Sequence, residues 1–89
     1  MRISKHAAKR LQQRGLPRRV VDWLAAYGAI DHQNGSELFY FNRKGRQALK
    51  RDLGERVVKR HAKALDAYMI CIEGRVATVG HRYQRVVRH

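Results

Sequence analysis

The chain has 89 residues, enough for one domain with a thin hydrophobic core. Twenty Lys and Arg residues against seven Asp and Glu residues give a net charge of +13, which favours polyanionic partners such as nucleic acid over solubility alone. The sequence has no run of about 20 apolar residues, no apolar signal region and a single cysteine, so we predict a cytoplasmic protein without a membrane span or internal disulfide.

Ser4 and Gly15 frame the first predicted helix, which covers about residues 5 to 14. Its apolar side recurs at four-residue spacing and consists of Ile3, Ala7 and Leu11. A polar stripe with the same spacing consists of His6, Arg10 and Arg14. We interpret this stripe as a candidate functional surface, with a solvated helix face as the alternative.

A second helix and a hairpin are predicted next. The helix runs from Pro17 to about Tyr27, and its apolar spacing places Trp23 in the core rather than on a base-stacking surface. Residues 29 to 33 and 36 to 42 then flank Asn34-Gly35, which is the strongest short signal for a β-hairpin.

The segment from Arg43 to Lys63 contains nine Lys or Arg residues around apolar residues at helical intervals. Gly54 interrupts it, so the pattern leaves one helix or two open. We predict that its first cations contact nucleic acid, and a wet helix face is the alternative. These candidate nucleic-acid-binding residues are Arg43, Lys44, Arg46 and Lys50, together with Arg10 and Arg14 of the first helix.

The strand-like apolar segment over residues 67 to 82 indicates a second hairpin, and we predict Gly74-Arg75 as its two-residue loop. Counting outward from that loop pairs Ile70 with Val79 and Tyr68 with His81. The face expected to form the core is then Tyr68, Ile70, Ile72, Ala77, Val79 and His81. His81 lies where this face ends, and residues 83 to 89 extend the last strand or fray.

The histidines and arginines of the chain suit RNA cleavage without a metal. This reaction requires a base that takes the proton of the 2′-hydroxyl, cations that stabilise charge on the phosphate, and an acid that protonates the leaving 5′ oxygen. The candidate catalytic residues are His6, His81, Arg82 and Tyr83. The alternative for His81 is a strand-end histidine satisfied by a neighbour. Spacing for a zinc site, a phosphate-binding glycine loop or a serine nucleophile elbow is absent, and we predict no cofactor and no metal.

Residues 4 to 15, SKHAAKRLQQRG, and residues 78 to 83, TVGHRY, carry a family resemblance. The chain resembles a small bacterial family that opens with a Ser-x-His-Ala-x-x-Arg-x-x-x-Arg-Gly helix and is similar to RelE-like toxins and the barnase-EndoU-colicin ribonucleases. The resemblance implies that His6, Arg10 and Arg14 match the polar helix positions of the family. It likewise implies that His81 and Arg82 match basic positions of its last strand. RelE-like toxins begin with a strand, whereas no N-terminal strand is predicted here.

We therefore predict a single α+β domain over residues 1 to 89, in the order helix, helix, hairpin, helix, hairpin, with an antiparallel sheet packed against helices. The leading functional hypothesis is a metal-independent endoribonuclease of toxin-antitoxin type that acts on RNA or the ribosome and has an acidic antitoxin partner. The alternative is a non-catalytic module that binds RNA, the ribosome or DNA.

Overall fold

The computed structural model describes residues 2 to 81. In chain order the elements are β1 (Arg2–Ile3), α1 (Lys5–Gln13), α2 (Arg19–Tyr27), β2 (Ala29–Gln33), β3 (Ser36–Tyr40), α3 (Arg43–Leu53), α4 (Glu55–Arg60), a 3₁₀ helix (Ala62–Asp66), β4 (Ala67–Ile72) and β5 (Arg75–His81). These elements confirm the predicted α+β class. The predicted extension over residues 83 to 89 lies outside the described residues.

The five strands form one mixed sheet in the order β1-β5-β4-β3-β2. All neighbouring strands are antiparallel except β1, which pairs in parallel with β5. Helix α1 packs along β5, α2 packs against β3 and β4, and α3 packs on α2. Trp23 is buried in the resulting core, as its helical spacing predicted.

Local sequence signals set the limits of the helices. The Ser4 side chain accepts a hydrogen bond from the Ala7 amide at 3.0 Å and so caps α1, while Asn42 caps α3 through the Gly45 amide at 2.8 Å. Gly54 has φ 92°, a conformation that L side chains rarely adopt, and it separates α3 from α4. The basic segment therefore forms two helices rather than one.

The Asn34-Gly35 hairpin forms as predicted, but the register of the second hairpin was wrong. Its loop is Glu73-Gly74, not Gly74-Arg75, and both loop residues have positive φ, as a type I′ turn requires. Because side chains alternate along a strand, this one-residue shift reverses the face that β4 turns to the core. The buried residues of β4 are Ala67, Met69 and Cys71, whereas Tyr68, Ile70 and Ile72 lie on the other face.

Val79 of β5 was nevertheless predicted correctly to face the core, and a β-bulge explains why. The register shifts between Ile70 and Cys71, which pair with Thr78 and Val76, so that Ala77 has no partner of its own. The extra residue lets both Val76 and Val79 turn to the core, and both are fully buried. From Thr78 to His81 the alternation is regular, and His81 therefore shares the core face with Val79.

The edge of β5 is covered by β1 and then by α1. Residues 2 and 3 pair with Arg75 and Val76, so the chain does begin with a short strand, contrary to the prediction. Beyond β1, the Ser4 hydroxyl donates to the Ala77 carbonyl at 3.1 Å and the Arg10 Nε donates to the Val79 carbonyl at 3.4 Å. These side chains occupy strand-edge acceptors that would otherwise be open.

Candidate nucleic-acid interface

A cleft lies where the end of α1, the 3₁₀ helix and the end of β5 meet. It has a volume of about 440 Å³ and is lined by Gln13, Arg14, Lys63, Asp66 and His81. Two residues of the predicted site, Arg14 and His81, come together here although they are distant in sequence. Lys63, which is exposed, adds a second cation to the half-buried Arg14 in the same opening. The cleft thus combines an imidazole with two positive charges, which is a suitable environment for a phosphate.

The surroundings of His81 in this cleft disfavour its charged form. Its Nε2 atom is buried and has no hydrogen-bond partner. Burial of the ring lowers the pKa of His81 from 6.5, and the nearby charges of Arg14 and Lys63 lower this pKa further, while the Asp66 carboxylate raises it. A neutral imidazole with an unpartnered nitrogen is able to accept a proton.

Arg46 connects α3 to the rim of this cleft. Its guanidinium donates to the Leu65 carbonyl at 3.1 Å and to the Asp66 carboxylate at 3.3 Å. Asp66 is therefore paired with a cation of its own and leaves the field of the cleft positive. Arg43 and Lys50 lie one turn to either side of Arg46 on the same helix, and both are exposed. Lys44 is also exposed, so all four cations predicted on α3 lie at the surface, and Arg46 is the one that contacts the rim of the cleft.

His6 occupies a different place. Its Nε2 lies 3.2 Å from the Thr78 hydroxyl, and Thr78 points away from the core because it precedes Val79. His81 lies three residues further along β5, about 10 Å away, on the opposite face of the sheet. The two histidines therefore do not form one acid-base pair.

The polar stripe of α1 crosses the edge of the sheet. It begins at His6 beside Thr78, passes the Val79 carbonyl at Arg10 and reaches the cleft at Arg14. Its residues thus face β5 along the whole helix, but only Arg14 lines the cleft with His81. The predicted residues Arg82 and Tyr83 lie outside the described part of the chain.

No family model, curated protein or solved structure matches the chain. Within residues 2 to 81, no three His, Cys, Asp or Glu side chains are grouped to hold a metal ion. No helix in that range is long and apolar enough to cross a membrane. Function must therefore be inferred from the site.

Sequence reasoning missed three residues of the cleft: Gln13, Lys63 and Asp66. Lys63 belonged to the basic segment and was recognisable only as one cation among many. Asp66 had no signal, because its importance comes from contact with Arg46, twenty residues earlier in the chain.

Proposed function

We propose that this protein binds RNA and cleaves it in the cleft that contains His81, by a mechanism that uses side chains rather than a metal. The observation that carries the proposal is that His81 lines one cleft together with Arg14 and Lys63, in surroundings that lower its pKa. Of the two candidate catalytic histidines, only His81 belongs to this proposed site, where it acts with two cations.

In the proposed reaction, the phosphate lies between Arg14 and Lys63, which stabilise the charge that develops on its oxygens. The His81 imidazole, which lines the cleft, accepts the proton of the 2′-hydroxyl as the 2′ oxygen attacks phosphorus. The bond from phosphorus to the 5′ oxygen breaks, and that oxygen needs a proton. Arginine holds its protons too tightly to donate one, so Lys63 is the donor we propose. The products are a 2′,3′-cyclic phosphate and a free 5′-hydroxyl.

The toxin-antitoxin role belongs to the same proposal. An acidic protein covering Arg14 and Lys63 would block access of RNA and reduce the self-repulsion of a chain with a net charge of +13. The cytoplasm is the compartment we propose for this activity, because it holds both RNA and the reducing conditions that a free, buried Cys71 tolerates.

The test is cleavage of labelled RNA and of the matching DNA oligonucleotide in excess chelator. RNA alone should be cleaved, and His81→Gln should lower the rate by at least about 100-fold, because a general base contributes that much. His32→Gln is the matched control, since His32 is exposed at the first hairpin and its ring contacts Glu37. Full activity in His81→Gln would overturn the proposed mechanism.

A non-catalytic RNA-binding module is the second candidate. The separation of His6 from His81 on opposite faces favours it, because the two histidines cannot act together as an acid-base pair. Under this alternative the wild-type chain binds RNA with a steep dependence on salt but releases no cyclic phosphate. Product analysis therefore decides between the two candidates.

A further inference from the structure

A second, smaller cavity lies next to the cleft. It has a volume of about 210 Å³ and lies between the α1–α2 connection and the end of α4. We call it the groove, and its lining residues are Gly15, Leu16, Pro17, Lys59, Arg60, His61, Ala62, Lys63 and Ala64. This size is below that of a pocket for a drug-sized ligand and suits a single ring system.

The groove has an apolar floor and a cationic rim. Leu16 and Ala64 are buried, whereas Lys59, Arg60 and Lys63 are exposed. Among the described residues, no carboxylate lines the groove, and none forms an ion pair with these three cations. Apolar surface beneath unneutralised positive charge matches the two parts of a nucleotide, which are its base and its phosphate.

His61 provides a positioned aromatic ring within the groove. Its ring packs edge-on against Trp23, with centroids 5.7 Å apart and an interplanar angle of 61°. The backbone on either side is also fixed, because the His61 amide donates to the Val57 carbonyl and the His61 carbonyl accepts from the Ala64 amide. A ring held in this way offers a platform on which an unpaired base can stack.

The groove continues the cleft. Lys63 lines both, and the chain passes from Gln13 and Arg14 in the cleft to Gly15 in the groove. Gly15 has φ 66°, which allows the chain to turn between them. One extended RNA strand can therefore place the cleaved dinucleotide in the cleft and an adjoining nucleotide in the groove.

We propose that the groove is the binding subsite for a nucleotide adjoining the cleaved dinucleotide, with the base on His61 and its phosphate on Lys59 and Arg60, so that single-stranded RNA is the substrate. The inference rests on the proposed function and names its substrate class. A base buried in a duplex would not be available for this subsite, because its faces are already stacked.

The test compares pentauridylate, which reaches the groove, with diuridylate, which has a single phosphate and fills only the cleft. His61→Ala should raise KM for pentauridylate roughly tenfold, since loss of one stacked base weakens binding by about that factor. The kcat value and the kinetics of diuridylate should stay within about twofold. His61→Phe keeps a flat ring and should restore KM, whereas a role in proton transfer would not be rescued by this variant.

Charge is tested with the double variant K59Q/R60Q against R2Q/R75Q. Arg2 and Arg75 pair at the far end of β5, are exposed and line neither cavity, so their replacement lowers net charge equally. The Kd for pentauridylate should be more than tenfold higher in K59Q/R60Q than in the control R2Q/R75Q. Equal effects of the two double variants, or equal effects of His61→Ala on both substrates, would overturn the subsite.

Failure of the proposed function gives a different result. If the wild-type chain binds pentauridylate without cleaving it, the catalytic proposal fails, and the Kd values of the same variants still decide the subsite. If neither oligonucleotide binds, both proposals are wrong. Circular dichroism of each variant confirms that a change in KM or Kd is not a loss of folding.

Discussion

Gly45 allows the first turn of α3 to pack directly on the last residue of α2. A Cβ atom at this position would lie 2.5 Å from the Tyr27 carbonyl oxygen and 3.2 Å from the Asn42 side-chain oxygen that caps the helix. The first contact is with backbone, which cannot move without displacing one helix from the other. We therefore predict that Gly45→Ala destabilises the protein, although alanine normally favours a helix.

The magnitudes decide the sign of this effect. Alanine in place of glycine gains up to about 1 kcal/mol of helix propensity. Overpacking in a rigid environment costs about 1 to 3 kcal/mol, and disturbance of the Asn42 cap costs about 1 kcal/mol more. The free energy of unfolding should thus fall by about 1 to 3 kcal/mol, which lowers Tm by about 4 to 8 °C for each kcal/mol in a domain of this size.

Urea denaturation followed by circular dichroism measures this change. The control is Gln47→Ala, an exposed position on the same helix, where the substitution should alter stability by less than about 0.5 kcal/mol. The m-value should be the same for all three proteins, because the surface exposed on unfolding is unchanged. A Gly45→Ala protein as stable as the wild type would refute the close packing of α2 and α3.

Three further predictions concern the turn, the edge and the cleft. Glu73 has φ 52° before Gly74, so Glu73→Asn should raise the free energy of unfolding by up to about 1 kcal/mol, whereas no gain would contradict the observed loop. Ser4→Ala removes the cap of α1 and a hydrogen bond to the edge of β5, and denaturation should show a loss of about 1 to 2 kcal/mol. The lowered pKa of His81 means that the unfolded chain binds more protons, so stability is full above pH 6.5 and falls as pH drops below it. Thermal unfolding of His81→Gln should therefore depend less on pH between about 7.5 and 5.5 than that of His32→Gln, and equal slopes would contradict the neutral ring.

Much of the local structure was readable from short stretches of sequence. Ser4 and Gly15 bound α1, and Asn34-Gly35 forms the first hairpin turn. Such signals are reliable because the groups that interact lie within about four residues of one another. The second hairpin failed by one residue, since the sequence could not show that Glu73 takes a positive φ or that a bulge follows at Ala77.

The site was only partly readable for a related reason. The spacing of His6, Arg10 and Arg14 established a stripe on one side of α1, but not the direction in which that stripe crosses β5. The observed crossing places Arg14 with His81 and leaves His6 with Thr78. Residues of one helical stripe thus lie at two different faces of the sheet.

By itself, the sequence determined the class of the domain, the limits of its first helix at Ser4 and Gly15, and the net charge of +13 that favours a polyanionic ligand. Only the tertiary structure decided which face of β4 is buried, which cations meet at His81, and that Lys63 and Asp66 belong to the same cleft. The physical reason is the sequence separation of the residues that interact. Capping and turn formation depend on neighbours along the chain, whereas the cleft depends on strand register and on packing between segments more than forty residues apart.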